Sequence, residues 1–308
     1  MATTHPIHGA LSALDSATVW LNSEPLTAEG LRGRVVLVDF WTYSCVNWLR
    51  TLPYLTAWDE RYRERGFVLV GAHAPEFGFE HDLDNVKRAT RELGVDYPVV
   101  VDNDFTIWRS FENHYWPAAY LVDRGGQVRF SHFGEGSYEE IERAIQQLLA
   151  VQEATVRVDA GGLAEAADWD TLRSPETYLG FARGERRHDS RADRLALNEW
   201  ALAGAWSVGE EAAVLEAPAG SVAYRFQART LNLVLEPPAA GAAVRFAVRL
   251  DGQPPGDAHG LDVDASGEGT VSEPRMYQLI RQRGAAPQRD FEITFLDPGV
   301  RVYVFTFG

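Results

Sequence analysis

The sequence predicts an α/β layer domain over residues 1–150, a linker over 151–175 and an all-β domain over 176–308. Three observations carry this. The first half alternates short apolar runs with stretches of helical periodicity. The second half holds short runs of β-formers separated by turn signals, the pattern of a β-sandwich, jelly-roll-like in type. And 308 residues are too many for one small core.

VVLVDF (35–40) is a short apolar run of β-formers and suits a buried strand. Between Asn47 and Arg65 the apolar residues Leu49, Leu52, Leu55, Trp58 and Tyr62 recur at helical spacing, with Pro53 inside to kink the helix. FVLVGAHA (67–74) is a second buried strand. DLDNVKRATRELG (82–94) reads as a helix closed by Gly94. YPVVV (97–101) is a short strand. AAYLVD (118–123), a turn, and QVRFSHF (127–133) form a hairpin. YEEIERAIQQLLA (138–150) is an amphipathic helix. Residues 151–175 are small, polar and aperiodic. The later strands are expected at 221–228, 230–236, 243–250, 276–282, 290–296 and 300–307.

Net charge is −15, shared by both halves. Residues 1–150 hold 13 basic and 21 acidic residues; residues 151–308 hold 16 and 23. An acidic chain with no basic stripe is a poor partner for nucleic acid. No run of about 18 apolar residues exists to span a bilayer. The first residues lack a basic and an apolar region, which favours the cytoplasm over the periplasm. Cys45 is the only cysteine, so no internal disulfide and no Cys-rich zinc site can form. No cofactor is implied.

The joint between first strand and first helix, FWTYSCVNW (40–48), carries the chemistry. VLVDFWTYSCVNW resembles the active-site segment of the thioredoxin-like family, in which a strand with an acidic residue leads through Phe-Trp to Cys-x-x-Cys. Asp39 falls at the family's buried aspartate and Pro53 at its helix kink. Trp116-Pro117 falls at its cis-proline, which would face Cys45 and dock an extended partner. FWTYSC, HAPEFGFE, YWPAAYLVD, FGEGSY and SPETYLGFARGE resemble soluble relatives of the redox domain of DipZ-type proteins (TlpA/DipZ-type redoxins). Those add a β-sandwich similar to a carbohydrate-binding module. The departure is Trp48, where the family keeps its second cysteine.

A thiol at a helix start faces unpaired amides and the positive end of the dipole, which favours the thiolate. Cys45 is thus expected as nucleophile, with the Asn47 to Leu49 amides stabilising it and Pro117 orienting the partner. Without a second thiol, a mixed disulfide at Cys45 waits for an external one. The leading reading is a thioredoxin-like monothiol redox protein, an enzyme of the thiol-disulfide oxidoreductase lineage, with a protein or low-molecular-weight thiol or disulfide as partner. A second reading is a one-cysteine peroxidase using Cys45, Glu76 and Trp116. A third is a redox-inactive binding module. His73 is expected as a packed strand residue rather than a base. Trp48 would either cover Cys45 or turn outward as a partner contact, and the outward pose is expected.

Two features of the second half invite other chemistry. Asp262 to Glu273 fits the spacing of a calcium-binding EF-hand loop, but no helix flanks it, and it reads as a polar hairpin loop. Trp200, Trp206, Tyr178 and Tyr277 would give a glycan-stacking platform if exposed; core positions are the expected use.

Overall fold

The computed structural model describes residues 10–188, 195–284 and 286–308. The chain forms two compact units, Met1–Ala164 and Glu165–Gly308.

The first unit is an α/β layer structure. In order it contains β1 (Trp20–Leu21), β2 (Val35–Trp41), α1 (Val46–Tyr62), β3 (Phe67–His73), α2 (Leu83–Glu92), β4 (Val99–Val101), α3 (Thr106–Ser110), β5 (Ala118–Val122), β6 (Val128–Phe133) and α4 (Tyr138–Leu149). The sheet order is β1-β4-β3-β2-β5-β6, with β2, β3 and β4 parallel and the outer pairs antiparallel. All seven residues of β2 are buried, as a central strand covered on both faces requires. Its alternation divides the core. Val36, Val38 and Phe40 join a cluster with Val70, Ala72, Ile107, Phe111 and Tyr120. Leu37, Asp39 and Trp41 therefore point to the other face. Helix α1 packs there, burying Leu49, Leu52, Leu55, Trp58 and Tyr62. The sequence pattern missed α3 and β1, which are too short to show a period.

Residues 151–175, expected as a linker, carry side-chain and backbone bonds within each unit. Glu153 pairs with Arg61 at 3.0 Å and also with Arg65, and the Val156 amide donates to Glu142 at 2.8 Å, all within the first unit. The Arg173 amide donates to the Gln227 carbonyl at 2.9 Å within the second.

The second unit is all-β. Its strands are β7 (Thr177–Tyr178), β8 (Trp200–Ala203), β9 (Trp206–Val208), β10 (Ala213–Leu215), β11 (Gly220–Phe226), β12 (Thr230–Glu236), β13 (Val244–Leu250), β14 (Glu268–Val271), β15 (Arg275–Arg281), β16 (Arg289–Phe295) and β17 (Arg301–Phe307). They form two antiparallel sheets. One has the order β15-β12-β17-β10-β9, with β7 also on β17, and the other β14-β13-β16-β11-β8. Tyr224, Phe246 and Phe291 of one sheet share a single core with Leu233, Tyr277 and Phe305 of the other. Strand β13 shows why: Val244, Phe246, Val248 and Leu250 are buried while Arg245 and Arg249 are exposed.

Two of the four rings of the glycan platform take the core positions expected of them. Trp200 and Tyr277 are core residues. Trp200 Nε1 donates to the Glu185 carbonyl at 2.7 Å, and Tyr277 Oη donates to the Glu273 carbonyl at 2.8 Å. Burying these rings in an aromatic core stabilises more than exposing them. The calcium loop is equally spoken for. Asp262 pairs with Arg275 at 2.7 Å, and Asp264 Oδ1 accepts from the Ser266 and Glu268 amides, each at 2.9 Å. A third of this loop, Glu268–Val271, is the edge strand β14.

Gly71, opposite Asp39 in the β2–β3 register, marks a tight spot. A Cβ there would stand 2.9 Å from Trp41 Nε1 and 3.0 Å from Tyr97 Cε2, atoms of two buried rings. Gly71→Ala should lower stability by roughly 1–3 kcal/mol through overpacking. A urea midpoint equal to the parent's would contradict this packing.

Candidate functional site

Two loops meet at the C-terminal ends of the adjacent parallel strands β2 and β3, where open α/β sheets build sites. The first is the turn Thr42–Cys45, closed by the Cys45 amide donating to the Thr42 carbonyl at 3.3 Å. Cys45 is the N-cap of α1, in extended conformation, and is half-buried. The helix starts one residue earlier than its periodicity suggests. Leu49 N–H is consumed by the Cys45 carbonyl at 3.0 Å. The amides without an intrahelical partner are therefore those of the first turn, Val46, Asn47 and Trp48. This corrects the expected Asn47–Leu49 set by one residue.

The Trp116–Pro117 peptide is cis. Cys45 Sγ faces the Trp116 carbonyl oxygen at 3.8 Å. Trp116 is held by its indole, which donates to the Ala74 carbonyl at 2.9 Å and packs on Trp108 at 4.3 Å between ring centroids. Cys45, Trp116 and Pro117 are thus brought together.

Trp48 is the main correction. It does not turn outward as expected; it is fully buried. Its ring stacks on Trp41 at 4.2 Å, and its Nε1 donates to Asp39 Oδ2 at 2.9 Å. The reason is helical geometry plus an acceptor. Residues 48, 52 and 55 lie on one face of α1, with Leu52 and Leu55 in the core. Asp39, on the facing side of β2, offers a buried carboxyl that needs a donor. Burial pushes the Asp39 carboxyl up to about 8, against the pull of the Trp48 hydrogen bond.

Glu76 is half-buried on the loop after β3, and its amide donates to Glu80 Oε2 at 2.6 Å. The carboxylate this loop delivers to the Cys45 turn is Glu80, which residue-type reasoning missed. Glu80 is fully buried, and its Oε1 accepts from Ser44 Oγ at 2.6 Å. Burial pushes it up to about 7, opposed by the Ser44 hydrogen bond. The signal was present: a Glu three residues after Phe77 completes a capping pattern for the short turn Gly78–His81. His73 is a packed residue, between Trp41 and Tyr43, and burial drives it down to about 3. No group of three metal-ligating side chains occurs among the described residues.

Comparison with known proteins places this geometry. A family model described as "Thioredoxin like C-terminal domain" matches residues 174–308. Protein DipZ of Mycobacterium tuberculosis is 32% identical over 262 residues, 80% of this chain and 37% of that protein. Thiol-disulfide oxidoreductase YkuV of Bacillus subtilis is 30% identical over 141 residues, 46% of this chain and 94% of that protein. A solution structure of a thioredoxin-like protein in the oxidised form has 30% identity and a TM-score of 0.40, covering 44% of this chain and 90% of that one. The chain belongs to the thioredoxin-like family, and its lineage is one of thiol–disulfide redox proteins. It spans 37% of the length of its DipZ relatives. Among the described residues no helix is long and apolar enough to cross a membrane.

The Asp39 shift fixes a pH dependence. Its carboxyl rises from 3.8 to about 8 on folding, so the folded state holds the proton more tightly. Stability contributed by this group falls as pH rises across that window. Asp39→Asn should therefore raise the melting temperature at pH 8 and change it little at pH 4. Equal shifts at both values would contradict a carboxyl held neutral beside Trp48.

Proposed function

We propose that this protein is a monothiol redox protein that exchanges disulfides through Cys45 with an external thiol. The observation that carries this reading is the pairing of one sulfur at a helix start with a second-cysteine position filled by a buried, hydrogen-bonded indole. Among the proposed site residues, Cys45 is the nucleophile. Pro117 and Trp116 shape the edge against which a partner docks, and Asp39 and Trp48 fix the helix beneath it. Tyr115 and Phe133, both exposed with ring centroids 5.1 Å apart, supply an apolar contact beside that edge.

The Cys45 thiolate attacks one sulfur of a partner disulfide. A new S–S bond joins Cys45 to that sulfur, the partner's S–S bond breaks, and the leaving thiolate takes a proton from water. An external thiolate then attacks the partner's sulfur in the mixed disulfide, forming a new disulfide outside the protein and returning the Cys45 thiolate. In the dithiol family the second cysteine performs this step. Here Trp48 cannot, and Asp39, bonded to Trp48, has no second thiol to serve.

Intact-mass measurement after exposure to oxidised glutathione should show one glutathione adduct, on Cys45, removed by added free thiol. An unmodified mass would favour the redox-inactive binding module. A sulfenic or sulfinic mass from dilute peroxide, with no glutathione adduct, would favour the one-cysteine peroxidase with Glu76.

Trp48→Cys should restore a Cys-x-x-Cys pair on a scaffold that keeps Asp39, Pro53 and Pro117. Removing a buried indole should lower stability by about 3–5 kcal/mol. The folded variant should nonetheless reduce insulin disulfides with dithiothreitol as donor, while the parent stays near background. A parent as active as the variant would contradict the need for an external resolving thiol.

A further inference from the structure

Glu80 is a buried carboxylate that the exchange chemistry above does not use. It has no exposed surface. Oε2 accepts from the amides of Glu76 at 2.6 Å and Phe77 at 3.0 Å. Those two bonds cap the short helical turn that Glu80 itself occupies, and a surface capping residue would suffice for them. The third bond runs elsewhere. Oε1 accepts from Ser44 Oγ at 2.6 Å, across 36 residues of sequence. Ser44 is itself buried and directly precedes Cys45. One carboxylate therefore ties the loop after β3 to the turn after β2.

We propose that Glu80 is a positioning residue for Cys45. Its bridge to Ser44 fixes the turn, and so holds the neighbouring sulfur at the start of α1 facing the Trp116 carbonyl. This rests on the monothiol reading of the site. The geometry favours it over simple capping, because the bridge joins the two strand ends that build the site. A buried carboxylate is expensive to desolvate, and a loop cap alone gives no reason to bring it to the residue beside the sulfur. Glu80 touches neither the sulfur nor a partner in this account; it acts through Ser44.

The role belongs to the bridge and not to the charge, and three variants separate the two. Glu80→Gln keeps the bridge: its amide nitrogen donates to Ser44 Oγ while its oxygen accepts from the two loop amides. Ser44→Ala removes the bond to the residue beside the sulfur by deleting one hydroxyl, and keeps the Thr42 hydroxyl that also reaches Glu80. Glu80→Ala removes the bridge and the cap together. The readout is the rate of glutathione-adduct formation at Cys45 in the full chain, with circular dichroism to confirm folding. The expected result is a Glu80→Gln rate within about 2-fold of the parent, and Ser44→Ala and Glu80→Ala slower by at least ~5-fold, since misplacing a reacting group is costly in rate. If Glu80→Ala fails to fold, Ser44→Ala decides. A folded Ser44→Ala that reacts like the parent overturns the positioning role and leaves the monothiol reading standing. A Glu80→Gln that falls as far as Ser44→Ala makes the charge essential and also overturns it. A parent that reacts no faster than the same protein unfolded in urea removes both.

Discussion

A buried hydrogen bond from the Trp48 indole to the Asp39 carboxyl, 2.9 Å long, sets the geometry of the candidate site. A carboxyl in the middle of a covered strand is costly unless it is neutral or has a donor. Here both conditions are met, since burial keeps it protonated at neutral pH and the indole points at it. The bond seats the first turn of α1 on the sheet. The sulfur of Cys45, at the N-cap of that helix, is placed as a consequence. The same residue that fixes the helix fills the position from which a second thiol would resolve a mixed disulfide. Structure and chemistry are therefore linked: the interaction that orders the site also makes it a one-sulfur site.

Much of this was legible in the sequence. The run VVLVDFW announced a strand covered on both faces, and all seven residues are buried. The alternation in VRFAVRL announced a strand with one face in the core, and β13 has that pattern. Strands of seven residues were found nearly to their ends, whereas β8, β9 and β10 were not, because three or four residues carry too little periodicity to be seen. A large ring where the family keeps a thiol suggests a partner contact at Trp48, but its helical spacing decides its place. Its offsets of four and seven residues from Leu52 and Leu55 already put it on the buried face. Glu80 escaped because its role depends on a tertiary approach between two loops 36 residues apart, and only its local capping pattern is visible in one dimension.

Three segments of the first unit build the candidate site: the turn after β2, the loop after β3, and the segment ending in the cis Trp116–Pro117 peptide. The second unit buries its own aromatics and ties its acidic loop residues to its own arginines and amides. It is an all-β unit built around one core of its own.

Trp48, in the first turn of α1, is buried against an Asp39 carboxyl that burial keeps neutral. The direct measurement is the proton NMR resonance of the Trp48 indole N–H, assigned by its loss in Trp48→Phe. A buried, bonded indole should exchange slowly with deuterated solvent and follow the ionisation of Asp39 as pH rises toward about 8, a dependence absent in Asp39→Asn. An indole proton that exchanges within the dead time of the experiment and ignores pH would contradict the account, because it would put Trp48 in solvent and leave Asp39 without its donor.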